Sequence, residues 1–262
     1  MSDPADQRRA TARPRRRGMY LLPSMFTVGN LFCGYACVVY AMRGQAAGIE
    51  AGAADLKIAA FCIGVAILLD SLDGLIARLT GTSSAFGLQL DSLADVVSFG
   101  LAPAILAFSW GISDFGREGW AAGFMFVCAA AMRLARFNIQ SPTQADKRYF
   151  VGLPAPAAAG VIGATVFIRP LALRGYPQAL TLAVLLVPAG LMVSTIRFRS
   201  FKTINMGWAR SYVGPLVFAL LLTSFVLFPE YALFAVAYGY LISPFAGQLI
   251  TRLRARRLPP AA

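Results

Sequence analysis

Residues 65–80, VAILLDSLDGLIARLT, and 85–100, AFGLQLDSLADVVSFG, place four aspartates, Asp70, Asp73, Asp91 and Asp95, inside apolar sequence of helical length. A carboxylate at membrane depth is costly and seldom left unpaired, so four together read as an ion or substrate site. The chain has only 12 acidic residues, and a third of them stand here.

The surrounding sequence defines the object that holds them. Of 262 residues, 58% are hydrophobic and 14% charged, with a mean hydropathy of +0.64. That is too apolar for an ordinary water-soluble domain and fits a polytopic helical membrane protein. Crossing a bilayer core takes about 20 apolar residues. Roughly eight such stretches are expected, at 19–42, 56–79, 84–110, 118–136, 152–170, 177–196, 209–228 and 231–250. The short connections predict antiparallel neighbours in one domain. No stretch alternates with period two, which argues against a β-barrel.

Lys and Arg mark the cytoplasmic side of short loops. With the N-terminus inside, nineteen of the 24 basic residues fall on inner segments, leaving Arg43, Lys57, Arg117, Arg169 and Arg174 outside. Both termini are therefore expected to be cytoplasmic, with the chain multi-pass in the cell (inner) membrane. The polar, Arg-rich segment 1–18 reads as a disordered tail, 19–252 as a single transmembrane catalytic domain and 253–262 as a second cytoplasmic tail. The apolar stretch after residue 18 is long and has no small-residue cleavage site, so a retained first helix is expected rather than a signal peptide. A net charge of +12 spread over every inner loop fits a face on anionic lipid, and no nucleic-acid partner is expected.

The chain contains no histidine. This excludes a His general base, a Ser-His-Asp triad and any imidazole metal ligand. Cys33, Cys37, Cys62 and Cys128 all fall inside expected spans, where a thiol behaves as a small apolar residue. Trp110, Trp120 and Trp208 read as interfacial belt residues.

Positions three and four apart share a helix face, so Asp70 projects with Asp73 and Asp91 with Asp95. A turn near residues 80–84 would make the two helices antiparallel and set the pairs across one cleft. Four like charges at such range cannot all ionise without compensation. Two hard divalent cations, Mg2+ or Mn2+, would balance them and prefer oxygen ligands. Gly74 and Ala77 remove bulk beside the carboxylates, while Arg78 offers a planar cationic fork suited to phosphate. Ser84 and Gly87 open the facing helix, whose N-terminus favours an anion. Together these features describe a diphosphate site.

The pattern Asp70-x2-Asp73-Gly74-x2-Ala77-Arg78-x8-Gly87-x3-Asp91-x3-Asp95 resembles, at every fixed position, the signature of the CDP-alcohol phosphatidyltransferases. The stretches LPSMFTVGNLFCGYA (22–36), FGLQLDSLADVVSFGLAPA (86–104), MRLARFN (132–138) and KRYFVGLPAPAAAG (147–160) are most similar to the serine-using branch of that family. The resemblance implies a six-helix membrane core with additional C-terminal helices, a homodimer, and transfer of the phosphatidyl group of CDP-diacylglycerol to L-serine with release of CMP. It assigns Asp70, Asp73, Asp91 and Asp95 to two metals and Asp95 to the general base, with Asp91 beside it in the catalytic pair. It gives Asp70, Gly74, Ala77, Arg78, Ser84 and Gly87 to the CDP-lipid. Asn30 stands where relatives with a phosphorylated acceptor carry Arg, which points away from such an acceptor.

Arg133 and Arg136, three apart, could bind the serine carboxylate or a lipid phosphate, or anchor the helix end at the membrane surface. Lys147, Arg148 and the 149–154 turn could cover the cleft or form an ordinary loop. Another acceptor (glycerol 3-phosphate, an inositol phosphate or choline) is the nearest alternative. A divalent-cation transporter and a CDP-lipid-binding scaffold are more distant ones.

Overall fold

The computed structural model describes residues 21–48, 50–80, 85–140, 149–171, 178–199, 219, 223–224 and 227–255. The expected N-terminal tail, most of the expected span 209–228, Trp208, Ser84, Lys147, Arg148 and residues 256–262 lie outside them. Within the described residues the chain is helical apart from one short two-stranded ribbon.

Helix α1 runs Leu21–Ala47 and carries Pro23 in its first turn, where a missing N–H costs nothing. It stops at Gly48, whose φ of +86° suits a residue without Cβ. α2, Ala53–Thr80, returns antiparallel against it over much of its length. α3 spans Ala85–Asp95 and passes directly into a π-helical segment, Val96–Leu101, then α4, Ala102–Trp110. A single 3-10 turn, Ile112–Phe115, leads to α5, Gly116–Gln140. β1, Tyr149–Val151, precedes α6, Ala155–Ile168, and α7, Gln178–Val193. β2, Arg197–Arg199, and α8, Pro229–Ala255, complete the set.

Among the described residues, four stretches are long and apolar enough to cross a membrane: Met25–Ala47, Ala53–Ile76, Phe86–Trp110 and Ile112–Ile139. α6 and α7 are apolar but shorter, at 14 and 16 residues. Each stands where a span was expected, as does α8. The third stretch is central, with 61% of its most apolar window buried against 28% for the other three. Large apolar side chains such as Phe32, Leu68, Leu93, Phe124 and Ile139 point outward, while alanines 41, 59, 66, 102, 107, 130, 158 and 159 line the contacts between helices. Small residues inside and bulky apolar ones outside is the arrangement of helices packed in lipid, where close backbone approach replaces the hydrophobic drive.

Polar contacts join the outer elements. Lys57 of α2 pairs with Glu230 of α8 at 2.7 Å, the hydroxyls of Thr165 and Tyr238 share a hydrogen bond of 2.8 Å, and Trp110 Nε1 donates to the Arg169 carbonyl at 2.6 Å. The ribbon pairs Tyr149 with Arg199, Phe150 with Phe198 and Val151 with Arg197. Gly152, at φ +80°, turns the chain out of β1 and donates its N–H to the Ile196 carbonyl. The expected 149–154 turn thus begins as a strand and is tied to the segment after α7.

Candidate metal and diphosphate site

The four aspartates sit on the two helices expected to carry them. Asp70 and Asp73 lie one to two turns before Arg78 on α2, and Asp91 and Asp95 end α3. Helix rise puts Asp70 and Asp95 each ~15 Å along the helix from the ends that face the α2–α3 connection.

Asp70, Asp91 and Asp95 converge. One carboxylate oxygen from each lies within 4.8 Å of the others, with Asp95 buried and the other two partly so. Three carboxylates at this range in an apolar bundle cannot all stay ionised unless positive charge lies among them. An all-oxygen donor set of this kind suits a hard divalent cation.

Asp73 is set apart from the trio but remains within electrostatic range of it. It is 6% exposed, and its Oδ2 accepts a 2.5 Å hydrogen bond from Thr27 Oγ1 of α1. Its Oδ1 is buried without a hydrogen-bond partner among the described residues. A buried carboxylate oxygen lacking a donor is expensive unless a cation completes it, so this orphan fits a fourth metal ligand. Asp95 is likewise held from α1: Asn30 Nδ2 donates to its Oδ1 at 3.1 Å.

Gly74 follows Asp73 on α2 and Gly87 lies in the first turn of α3, both beside the carboxylates in sequence and on the same two helices. Ala77 and Arg78 continue α2, but their side chains are outside the described residues, as is Ser84. Arg133 of α5 is buried, and its Nη1 donates to the Val151 carbonyl of β1 at 3.0 Å. That hydrogen bond runs to the ribbon, not to the aspartates. Arg136, one turn on, is partly exposed. Asn138, at the end of the MRLARFN stretch, reaches α3 by donating from Nδ2 to Ser92 Oγ at 2.8 Å, next to Asp91.

Sequence reasoning missed Thr27 as a contact of the site and gave Asn30 no structural role. The usable signal was a Thr and an Asn three apart, and so on one face, in an otherwise apolar helix. Two surface hollows of about 540 and 200 Å3 lie around the α4–α5 turn, lined in part by Trp120 and Trp110, at the other end of the bundle from the carboxylates. Neither contains any of the four aspartates, so hollow size is no guide to the chemistry here.

Residues 20–196 match the family model described as CDP-alcohol phosphatidyltransferase. A CDP-diacylglycerol–serine O-phosphatidyltransferase of Helicobacter pylori is 38% identical over 189 residues, 71% of this chain and 75% of that protein. The protein of the same name from Mycobacterium leprae is 31% identical over 246 residues, 90% of this chain and 78% of its own length. An archaetidylserine synthase of Methanothermobacter thermautotrophicus is 34% identical over 180 residues, 68% of this chain and 69% of that protein. The matched region carries all four aspartates on two helices that both pack against α1, with carboxylate oxygens of three of them within 4.8 Å of one another, and on these grounds the chain belongs to the CDP-alcohol phosphatidyltransferase family.

Proposed function

We propose that this enzyme transfers the phosphatidyl group of CDP-diacylglycerol to the hydroxyl of L-serine, forming phosphatidylserine and CMP. The observation that carries the reading is the convergence of Asp70, Asp91 and Asp95 within 4.8 Å, and the buried Asp73 oxygen without a donor supports it. The serine-using relatives at 31–38% identity support the acceptor.

Asp70, Asp73, Asp91 and Asp95 would hold two divalent cations, Mg2+ or Mn2+, which would supply positive charge to the donor diphosphate, to its leaving oxygen and to the attacking serine oxygen. Gly74 and Gly87 leave room for the nucleotide to approach the helix backbones, with Ala77, Arg78 and Ser84 completing the CDP contacts. Asp95, fixed at Oδ1 by Asn30, takes the proton of the serine hydroxyl at a carboxylate oxygen. The serine oxygen forms the new bond to the lipid-linked phosphorus. The bond from that phosphorus to the bridging oxygen breaks, and CMP leaves with the electron pair. Arg136, with Arg133 one turn before it, receives the serine carboxylate, while Arg133 also braces β1.

The enzyme functions in this reading as a homodimer in the cell membrane, with residues 19–252 as one domain of about eight spans and both termini cytoplasmic. α6, α7 and α8 supply three of the spans beyond the four long ones. The depth of the aspartates lets serine and CMP exchange with the cytosol while the two-tailed donor enters from the inner leaflet. Purified protein supplied with CDP-diacylglycerol and Mn2+ should release CMP only when serine is added. Turnover with glycerol 3-phosphate, an inositol phosphate or choline, and none with serine, would reassign the acceptor.

A further inference from the structure

Helix α1 carries no carboxylate between Leu21 and Ala47, yet it touches the site at two points. Thr27 Oγ1 donates to Asp73, and Asn30 Nδ2 donates to Asp95. Thr27 is 4% exposed and Asn30 fully buried, so both bonds are made where water does not compete. Asn30 is fixed in turn from below. Ser98 Oγ, three residues past Asp95, donates to the Asn30 backbone carbonyl at 2.9 Å. Ser98 lies in the π segment, whose extra residue per turn shifts the faces that follow Asp95. Gly34, one turn after Asn30, allows the approach, because a Cβ there would meet Ser98 Oγ at 2.5 Å. The result is a closed circuit: Asp95 to Asn30, Asn30 to Ser98, and Ser98 back along the chain to Asp95.

We infer that Thr27 and Asn30 are positioning residues that set the orientation of the Asp73 and Asp95 carboxylates toward the bound cations, making α1 a third wall of the metal centre. Each donor occupies one oxygen of its carboxylate and limits rotation about the side-chain bonds, so the other oxygen is presented in a fixed direction. Oδ2 of Asp73 is held by Thr27, leaving Oδ1, the orphaned atom, for a cation. Loss of such outer contacts typically costs about 10–100-fold in metal affinity or activity. The inference rests on the metal-centre reading above.

Mn2+ binding to purified, detergent-solubilised protein without CDP-lipid, followed by loss of the free-ion EPR signal, separates the two. Thr27→Val keeps the shape and removes the donor, Thr27→Ser keeps the donor, and Asn30→Leu removes the amide. Asp73→Asn is the reference for a lost ligand. The expected result is Mn2+ affinity about tenfold weaker in Thr27→Val and Asn30→Leu, near wild type in Thr27→Ser, and thermal unfolding of Thr27→Ser and Thr27→Val alike. Wild-type affinity in Thr27→Val and Asn30→Leu, with Asp73→Asn impaired, would overturn the positioning role alone. No Mn2+ binding by wild-type protein would overturn the metal centre itself. Equal weakening in Thr27→Ser and Thr27→Val would assign the effect to packing and overturn the role of the hydroxyl.

Discussion

Replacing Gly34 with alanine pushes a methyl group from α1 into the π segment that follows Asp95. An ideal Cβ at this position would lie 2.5 Å from Ser98 Oγ, 2.9 Å from its Cα and 3.1 Å from its Cβ. Non-bonded carbons rest at ~3.5–4.0 Å, so the two helices must separate by roughly 0.6–1.1 Å. The obstacle includes backbone, which cannot swing aside as a side chain can. Overpacking of this kind costs ~1–3 kcal/mol of stability. Movement is passed to the site because Ser98 donates to the Asn30 carbonyl and Asn30 donates to Asp95. A displacement of ~1 Å near a reacting centre can cost ~100-fold in rate. Serine-dependent CMP release by Gly34→Ala should therefore fall by about 10–100-fold in kcat, with thermal unfolding in the same detergent lowered by several degrees. Gly123→Ala on α5 is the control, since no described atom lies within 4 Å of a Cβ there, and it should keep wild-type kcat and lose no thermal stability. Wild-type kcat in Gly34→Ala would refute the transmitted displacement.

Lys57→Met breaks the Lys57–Glu230 pair, whose side chains are 37% and 36% exposed; exposure limits such a pair to ~0–1 kcal/mol, so turnover should be unchanged and the unfolding midpoint nearly so. Arg136→Met should raise the KM for serine by about tenfold while kcat stays within about twofold, because a carboxylate contact present in both ground and transition states acts on binding; an unchanged KM removes Arg136 from the acceptor site. Trp110→Phe deletes the 2.6 Å bond to the Arg169 carbonyl, which should lower stability by ~0.5–1.5 kcal/mol without altering kcat, as read by thermal unfolding and CMP release. Chelation with EDTA should abolish CMP release, and Mn2+ or Mg2+ should restore it; turnover that survives chelation would contradict a metal-assisted transfer.

The carboxylate pairs were legible in the sequence because their information is local. Spacings of three and four residues fix a shared helix face, and a short connection between α2 and α3 brings the two faces together. The long apolar stretches gave the four long helices for the same reason. Contacts between distant segments were not legible. Thr27 and Asp73 are 46 residues apart and Asn30 and Asp95 are 65 apart; only packing of α1 against both partners joins them. The π segment has no residue signature of its own. It is explained by what it packs against, Gly34 on one side and Ala130 of α5 near Gly100 on the other. The β1–β2 ribbon pairs three residues with three others 46–50 positions away, and neither strand is long enough to show a period. Asp73 shows the same limit at the site: its spacing from Asp70 groups it with the metal ligands, but only the hydrogen bond from Thr27 reveals that one of its oxygens is already engaged.

Anomalous X-ray scattering at the manganese edge, from crystals of the protein grown with Mn2+ and CDP-diacylglycerol, would locate the cations relative to the four carboxylates. Two peaks about 3.5–4 Å apart are expected, bounded by carboxylate oxygens of Asp70, Asp73, Asp91 and Asp95. Manganese bound elsewhere, or a donor diphosphate held with no metal between it and these carboxylates, would contradict a metal centre at these residues.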